Sequence, residues 1–236
     1  MTRFHSGSAS QILSEARMVA NYAKSIGLSN VKIVNRDPAY HLGAALADAI
    51  LQAGVNYETV VRMRVERIQT LYPCSSHMQG LRTTLSDNGL SDYLLWKHET
   101  KINRFSSLTN LVDNAGIKST GDLKIWLCGP CSRREMLSLN GIGPKTYDYI
   151  SGLVGIDRIA VDRHIVKFVK LAGSSAKNYE DVQKVASFAA DLLNVRRRVF
   201  DASIWNFVSS RRSKKISIDQ IELPFGSVEH DEVSYF

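Results

Sequence analysis

Cysteine is scarce: the 236 residues include three, at positions 74, 128 and 131. The count is odd and too small for a disulfide framework, so a reducing compartment is expected. Long apolar runs are missing too. None approaches the roughly 18–20 residues that would cross a bilayer. The first 18 residues hold no apolar stretch of about 7–15 residues that would read as a secretory signal. No membrane partner is expected. Strand signals are poor: Val31-Lys-Ile-Val34 is the one candidate, and a strand without a sheet reads better as an extended connector. No fixed-period repeat is visible. Residues 216–236 lack any Lys or Arg and hold five acids.

What remains is ordinary in bulk, with 44% hydrophobic and 22% charged residues, a globular composition. The charge balance says more. Thirty basic residues against 23 acids give a net charge of +7 and a pI near 9.3. The acidic tail conceals part of this. Residues 1–215 set 30 bases against 18 acids, a net +12. Such a body suits a polyanion, nucleic acid first.

Hydrophobic periodicity is helical almost throughout. Ile12, Leu13, Ala16, Val19, Ala20 and Ala23 line one side of a helix over 9–26. Asp37-Pro38 reads as the cap and first position of a second helix, 41–51, apolar nearly all round and so expected in the core. Asn56 suits the cap of the next, over 57–70. Further helices are expected near 75–87, 89–97, 101–114, 119–127, 132–138, 145–154, 162–172, 178–194 and 198–210. The fold class is all-α. Trp96, Trp126 and Trp205 fall at helical spacing among apolar neighbours and read as core. The tail from 216 carries no clear helical pattern.

One segment carries chemistry. Leu139-Asn-Gly141-Ile142-Gly143-Pro-Lys145-Thr146 joins a short helix to a longer one. Glycines two apart permit a tight turn and close approach of backbone to another chain. The turn's N–H groups and the following helix start form an anion site, suited to a DNA phosphate without sequence preference. Seventeen residues beyond Lys145 stands Asp162, in Ile159-Ala-Val-Asp162-Arg-His164, just ahead of another amphipathic helix. Alone, Lys145 reads as a solvated first-turn lysine and Asp162 as a helix cap. Arg196-Arg-Arg198 and Arg211-Arg-Ser-Lys214-Lys215 read equally as phosphate contacts or as solvated basic faces.

Together, LNGIGPKT (139–146) and IAVDRH (159–164) resemble the helix-hairpin-helix–Gly/Pro–Asp DNA glycosylases, most closely the endonuclease III branch. A weaker likeness runs upstream through Asp37-Pro and the helix ending at Gln52. The resemblance implies two helical domains with a DNA groove between them. A six-helix barrel over 37–156 would hold the hairpin at about 132–154. A discontinuous domain would combine 1–36 with 157–215, leaving 216–236 as a tail.

It further implies a bifunctional glycosylase and abasic-site lyase acting on a damaged or modified base in duplex DNA. The enzyme would be a monomer found with the DNA, in the cytoplasm of a prokaryote or in a nucleus. Lys145 would attack C1′ as an amine and form a Schiff base, and β-elimination would follow. Asp162 would accept the lysine proton or stabilise charge on the sugar. Gln52 would fill the gap left by a flipped base. Gly141, Ile142, Gly143 and Thr146 would bind the DNA backbone. His164 is expected to pack or hydrogen-bond rather than catalyse.

Many relatives in that branch hold an iron–sulfur cluster through four cysteines after the Asp motif. No cysteine follows Cys131 here, so no cluster and no other resident metal are expected, and three thiolates cannot make a four-cysteine zinc site. A monovalent cation at the hairpin is a further expectation from the family. Asn140 stands where the family often has proline, and Tyr147 where it often has a small residue. The Lys145–Asp162 interval is slightly short for the branch. Cys128-Gly-Pro-Cys131 copies a redox tetrad, but that motif needs a strand before it; a turn between helices is the better reading. Three other functions stay open: a glycosylase using water with Lys145 a spectator, a non-catalytic DNA-binding module, and a redox protein.

Overall fold

The computed structural model describes residues 8–28 and 39–219, with side chains up to 210. The strand candidate at 31–34 and the Asp37-Pro38 cap lie outside the described residues. Within them the chain is helical, as the periodicity predicts, with no strand. The elements are α1 (Ala9–Ser25), α2 (Leu42–Leu51), α3 (Arg62–Leu71), α4 (Met78–Asn88), α5 (Leu90–Leu94), α6 (Glu99–Asn114), α7 (Thr120–Leu127), α8 (Ser132–Leu137), α9 (Pro144–Leu153), α10 (Arg163–Leu171), α11 (Tyr179–Leu192) and α12 (Arg197–Asp219). A π turn (Tyr57–Val61) leads into α3, and a 3-10 turn (Pro73–Ser76) into α4.

Short polar side chains start these helices by accepting otherwise orphaned N–H groups. Asn56 Oδ1 accepts from Thr59 N at 3.2 Å. Ser119 and Asp122 form a reciprocal capping box on α7. Asn178 Oδ1 accepts from Asp181 N at 2.8 Å. For α2 the cap is His41, whose Nδ1 accepts from Ala44 N at 3.1 Å. Its Nε2 faces Tyr72 O at 3.0 Å, and an acceptor there requires a proton on Nε2. Burial holds this imidazole below its ordinary pKa, which matches a neutral ring. The last helix runs to Asp219 rather than 210; no Gly or Pro lies between 197 and 219 to stop it.

Buried apolar side chains fall into two clusters. One runs from Leu42 to Val154, on α2 to α9. The other joins α1 to Ile159, Val161 and α10–α12. All ten residues of α2 are buried, and the helix packs on α3, α4, α6 and α9. Gly43 permits a close approach: a Cβ there would lie 2.1 Å from the Tyr93 hydroxyl, which pairs with Ser75 Oγ at 2.9 Å. Trp96 and Trp126 pack against the first cluster as expected. Trp205 does not join a core; it is exposed and meets the His164 ring edge-on at 5.8 Å.

The two clusters are tied by polar contacts around Asp148 on α9, whose side chain is fully buried. Its Oδ2 accepts from Tyr179 Oη at 2.8 Å and from Gln183 Nε2 at 2.7 Å, both on α11. Its Oδ1 accepts from Arg158 at 3.3 Å. Arg133 of α8 stands 3.8 Å away. The Arg133 and Arg158 guanidinium groups also lie over the Tyr147 ring, at 5.6 and 5.1 Å. Removing one side of a buried ion pair strands the other. Asp148→Ala should therefore lower stability by about 3–5 kcal/mol, read as a fall in the urea midpoint with the slope unchanged.

Candidate active site

The turn before α9 is built as its residues dictate. Gly141 has φ +76°, a conformation open to glycine at no steric cost. Gly143 is the N-cap and Pro144 the first helical residue. Ile142 is buried in the first cluster, and its N–H donates to Leu139 O at 3.1 Å. It therefore has no spare donor for a ligand. Thr146 N likewise donates to Gly143 O, at 3.0 Å. The N–H groups of Gly141 and Gly143 make no backbone hydrogen bond among the described residues. Arg104 of α6 lies against Gly141, so close that a Cβ there would sit 2.0 Å from its Nε.

Lys145, in the first turn of α9, is half-buried. Its Nζ donates to Gln52 Oε1 at 3.0 Å, across 93 residues of sequence. Gln52 is the C-cap of α2. The other end of its amide, Nε2, is buried with no partner among the described residues. Flipping the amide would set its donor against an ammonium, so the assignment is forced. An orphaned buried donor costs about 1–3 kcal/mol and marks a place that an acceptor would complete. Lys101 of α6 secures the same loop, donating to Leu51 O at 2.6 Å and Ala53 O at 2.8 Å. Its ammonium lies 4.5 Å from the centre of the Trp96 ring, and Arg64 flanks the ring at 5.2 Å. Burial, then the charges of Arg104 and Arg64, lowers the Lys101 pKa.

Asp162 is the N-cap of α10. Oδ1 accepts from His164 N at 2.7 Å and Ile165 N at 3.0 Å, and Oδ2 faces His164 Nδ1 at 3.0 Å. A carboxylate partner puts the proton on Nδ1, so His164 is a hydrogen-bonding residue, as the sequence predicts. The preceding connector is held by side chains from α11 and α12. Gln183 Nε2 donates to Ile159 O at 2.8 Å, Ala160 N donates to Asp201 Oδ2 at 2.9 Å, and Val161 N donates to Tyr179 Oη at 3.2 Å.

Asp201 escapes a sequence reading, because on α12 it looks like any polar helix residue. Its carboxyl is within electrostatic reach of Lys145, Asp162 and Arg198. It keeps some accessible surface, yet burial is the largest influence on it and, with the Asp162 charge, raises its pKa to about 7. Lys101 and Arg104 were also not singled out from sequence; a basic residue spaced along α6 reads as solvated surface. Arg197 is committed to Asp191, at 3.1 and 2.7 Å. The side chains of 211–215 lie outside the described residues.

Tyr147 is core rather than pocket: its hydroxyl donates to Leu127 O at 2.8 Å and pairs with Ser132 Oγ at 3.1 Å. Cys128 and Cys131 are exposed free thiols at the ends of α7 and α8, with no strand before them. Among the described residues no three His, Cys, Asp or Glu side chains gather as a metal-holding group, and no helix is long and apolar enough to cross a membrane. A shallow hollow on α3, lined by Tyr57, Arg62, Val65, Glu66 and Gln69, contains none of the residues above.

The raised Asp201 pKa has a consequence for stability. Folded Asp201 holds its proton to about pH 7, against the ordinary value of 3.8. Between these limits the folded state binds more protons than the unfolded state, so Asp201 makes stability fall as pH rises through that window. Asp201→Asn should shrink the loss of melting temperature between pH 5 and pH 8; an unaltered loss would show that Asp201 titrates normally. No known family model, curated protein or solved structure matches this chain.

Proposed function

We propose that the protein is a bifunctional DNA glycosylase with abasic-site lyase activity, acting on a damaged or modified base in duplex DNA. The two apolar clusters would correspond to two helical domains, 37–156 and 1–36 with 157–215, and DNA would lie between them. One observation carries the reading. Lys145, on the first cluster, is held by Gln52 and shares its electrostatic surroundings with the carboxyl of Asp201, which also feels Asp162, both on the second. An amine held by a single amide, at the start of a helix behind a glycine turn and with a carboxyl in its electrostatic surroundings, suits Schiff-base chemistry on a DNA sugar.

The steps follow from the groups. The target nucleotide leaves the stack, because C1′ is shielded within the duplex. The Gly141 and Gly143 N–H groups and the start of α9 hold a phosphate, with Arg104 beside the turn adding charge. The neutral Lys145 amine attacks C1′ and the base departs with the bonding pair. The Asp162 carboxylate, fixed by α10, stabilises positive charge on the sugar. The adduct then loses a proton from Nζ, the C1′–O4′ bond opens with O4′ taking a proton, and the Schiff base so formed acidifies C2′ and permits elimination of the 3′ phosphate. Gln52 gives up Lys145 to the sugar and is then free to occupy the space left by the base. A water-using glycosylase remains the second reading, favoured by the bond that Lys145 already makes to Gln52.

Borohydride trapping on duplex DNA with one abasic site tests this. The wild type should give a covalent adduct, and Lys145→Ala none. Asp162→Asn keeps a good helix cap and should lower trapping on the order of 10²–10³-fold. Base release without an adduct would transfer the assignment to the water-using glycosylase. Salt-sensitive binding with neither adduct nor base release would leave a binding module.

A further inference from the structure

Several cations around the candidate site are spent inside the fold. Arg133 and Arg158 serve Asp148, Arg197 serves Asp191, and Lys101 serves the carbonyls of Leu51 and Ala53. Helix α10 differs. Its Arg163, Lys167 and Lys170 are exposed, and none makes an ion pair among the described residues. Their spacing, i, i+4 and i+7, puts them on one face of the helix. The opposite face, with Ile165, Phe168 and Val169, is buried and packs on α11 and α12. The stripe begins at the residue after Asp162, so it continues the candidate site along α10. It spans about 10 Å at the helical rise, the axis length over which one strand of duplex DNA carries about three phosphates.

A second feature stands at the same end. Trp205 of α12 is 40% exposed, although its neighbours Ile204 and Val208 are buried. Its ring meets that of His164 edge-on at 5.8 Å, and His164 Nδ1 lies 3.0 Å from Asp162 Oδ2. An exposed aromatic face beside a row of unpaired cations is a combination that holds a nucleic-acid strand, with phosphates on the cations and an unstacked base on the ring.

We propose that the outer face of α10, with Trp205, is a strand-binding surface for DNA: Arg163, Lys167 and Lys170 take backbone phosphates, and Trp205 stacks a base that has left the duplex. The inference rests on DNA as the partner in the reading above and is independent of the lyase step. Phosphate contacts carry no sequence information; they set register and orientation. The stripe therefore fixes how the strand runs past the Asp162 end of the site. Trp205 favours a duplex in which a base leaves the stack at low cost, as a mispaired base does.

Salt titrations of DNA binding by the full chain test this, with a fully paired duplex and one carrying a single mispaired 2-aminopurine. Each phosphate contact contributes about 0.9 to the slope of log K against log salt. The triple variant Arg163→Gln, Lys167→Gln, Lys170→Gln should therefore lower that slope by about 2–3 on both duplexes. Lys24→Gln, Lys118→Gln, Lys124→Gln removes equal charge from exposed lysines on α1 and at α7 and should change it by less than about 1. Trp205→Leu should keep the slope and lower the preference for the mispaired duplex roughly 10-fold. In the wild type, DNA should protect Lys167 and Lys170, but not Lys24, from amine acylation, a readout that needs no variant.

An unchanged slope in the α10 variant, equal falls in both triple variants, or absent protection overturns the stripe and leaves the lyase reading intact. A mispair preference that survives Trp205→Leu, or is absent from the wild type, overturns the part of Trp205. Loss of binding to phosphatidylserine vesicles in the α10 variant, with DNA binding unaltered, overturns the proposal in favour of a membrane surface. The expected fall in slope, in a protein that forms no abasic-site adduct, supports the surface and overturns the lyase step alone. A wild type that binds neither duplex overturns both.

Discussion

The buried carboxylate of Asp148 is the contact on which the rest of the arrangement depends. A charge taken out of water is tolerated when donors surround it, and here the donors come from Arg158, Tyr179 and Gln183, with the Arg133 guanidinium alongside. Tyr179 and Gln183 each do a second thing. They hold Val161 N–H and Ile159 C=O, the backbone just ahead of Asp162. Burial, then the Asp148 charge, raises the Tyr179 pKa, so its hydroxyl stays a donor to that carboxylate. Lys145 sits three residues before Asp148 on the same helix. One buried group therefore sets how α9, carrying the amine, faces the connector that carries the capping carboxylate.

The site beside this support keeps a polar group open. Tyr147 spends its hydroxyl on Leu127 O and Ser132. Glu15 is fully supplied by Gln11, Ser174, Ser175 and Ala176 N, and the sum of these hydrogen bonds lowers its pKa although burial opposes it. Gln52, by contrast, keeps a buried donor without a partner, and Asp201 keeps an oxygen without a donor. A buried donor left open beside an amine is costly to folding and suits a place where a ligand or a reaction uses it.

Much of the fold was legible because it is local. The caps read at Asn56 and Asp162 lie within three residues of the N–H groups they satisfy, as do those the structure adds at Ser119 and Asn178. The burial of α2 follows from its unbroken apolar circumference. The pairing of Lys145 with Gln52 was not readable from spacing, since it spans 93 residues; each was singled out for its place in a motif. Asp201, Arg104 and Lys101 carried no such mark. Their partners lie 41 residues away at Ala160 and about 50 away at Leu51 and Ala53, or on a turn from another helix. Trp205 misled for the opposite reason. Its helical spacing among apolar neighbours matched a core position, but that spacing does not distinguish an inward stripe from the edge that meets His164.

Capping sets the two carboxylates at the connector apart. Asp162 stabilises α10 by accepting its first N–H groups, a contribution of about 1 kcal/mol. To bind a proton it would have to surrender part of that, and the His164 ring with it. On the proposed lyase reading its part is to stay in place, as stabilising a developing positive charge demands. Asp201 differs: one oxygen accepts from Ala160 N–H and the other accepts no hydrogen bond among the described residues, because α12 carries it to the back of the connector rather than to the start of a helix. The difference between them is thus a matter of backbone position, and identical side chains acquire different chemistry from the hydrogen bonds that the fold has already used.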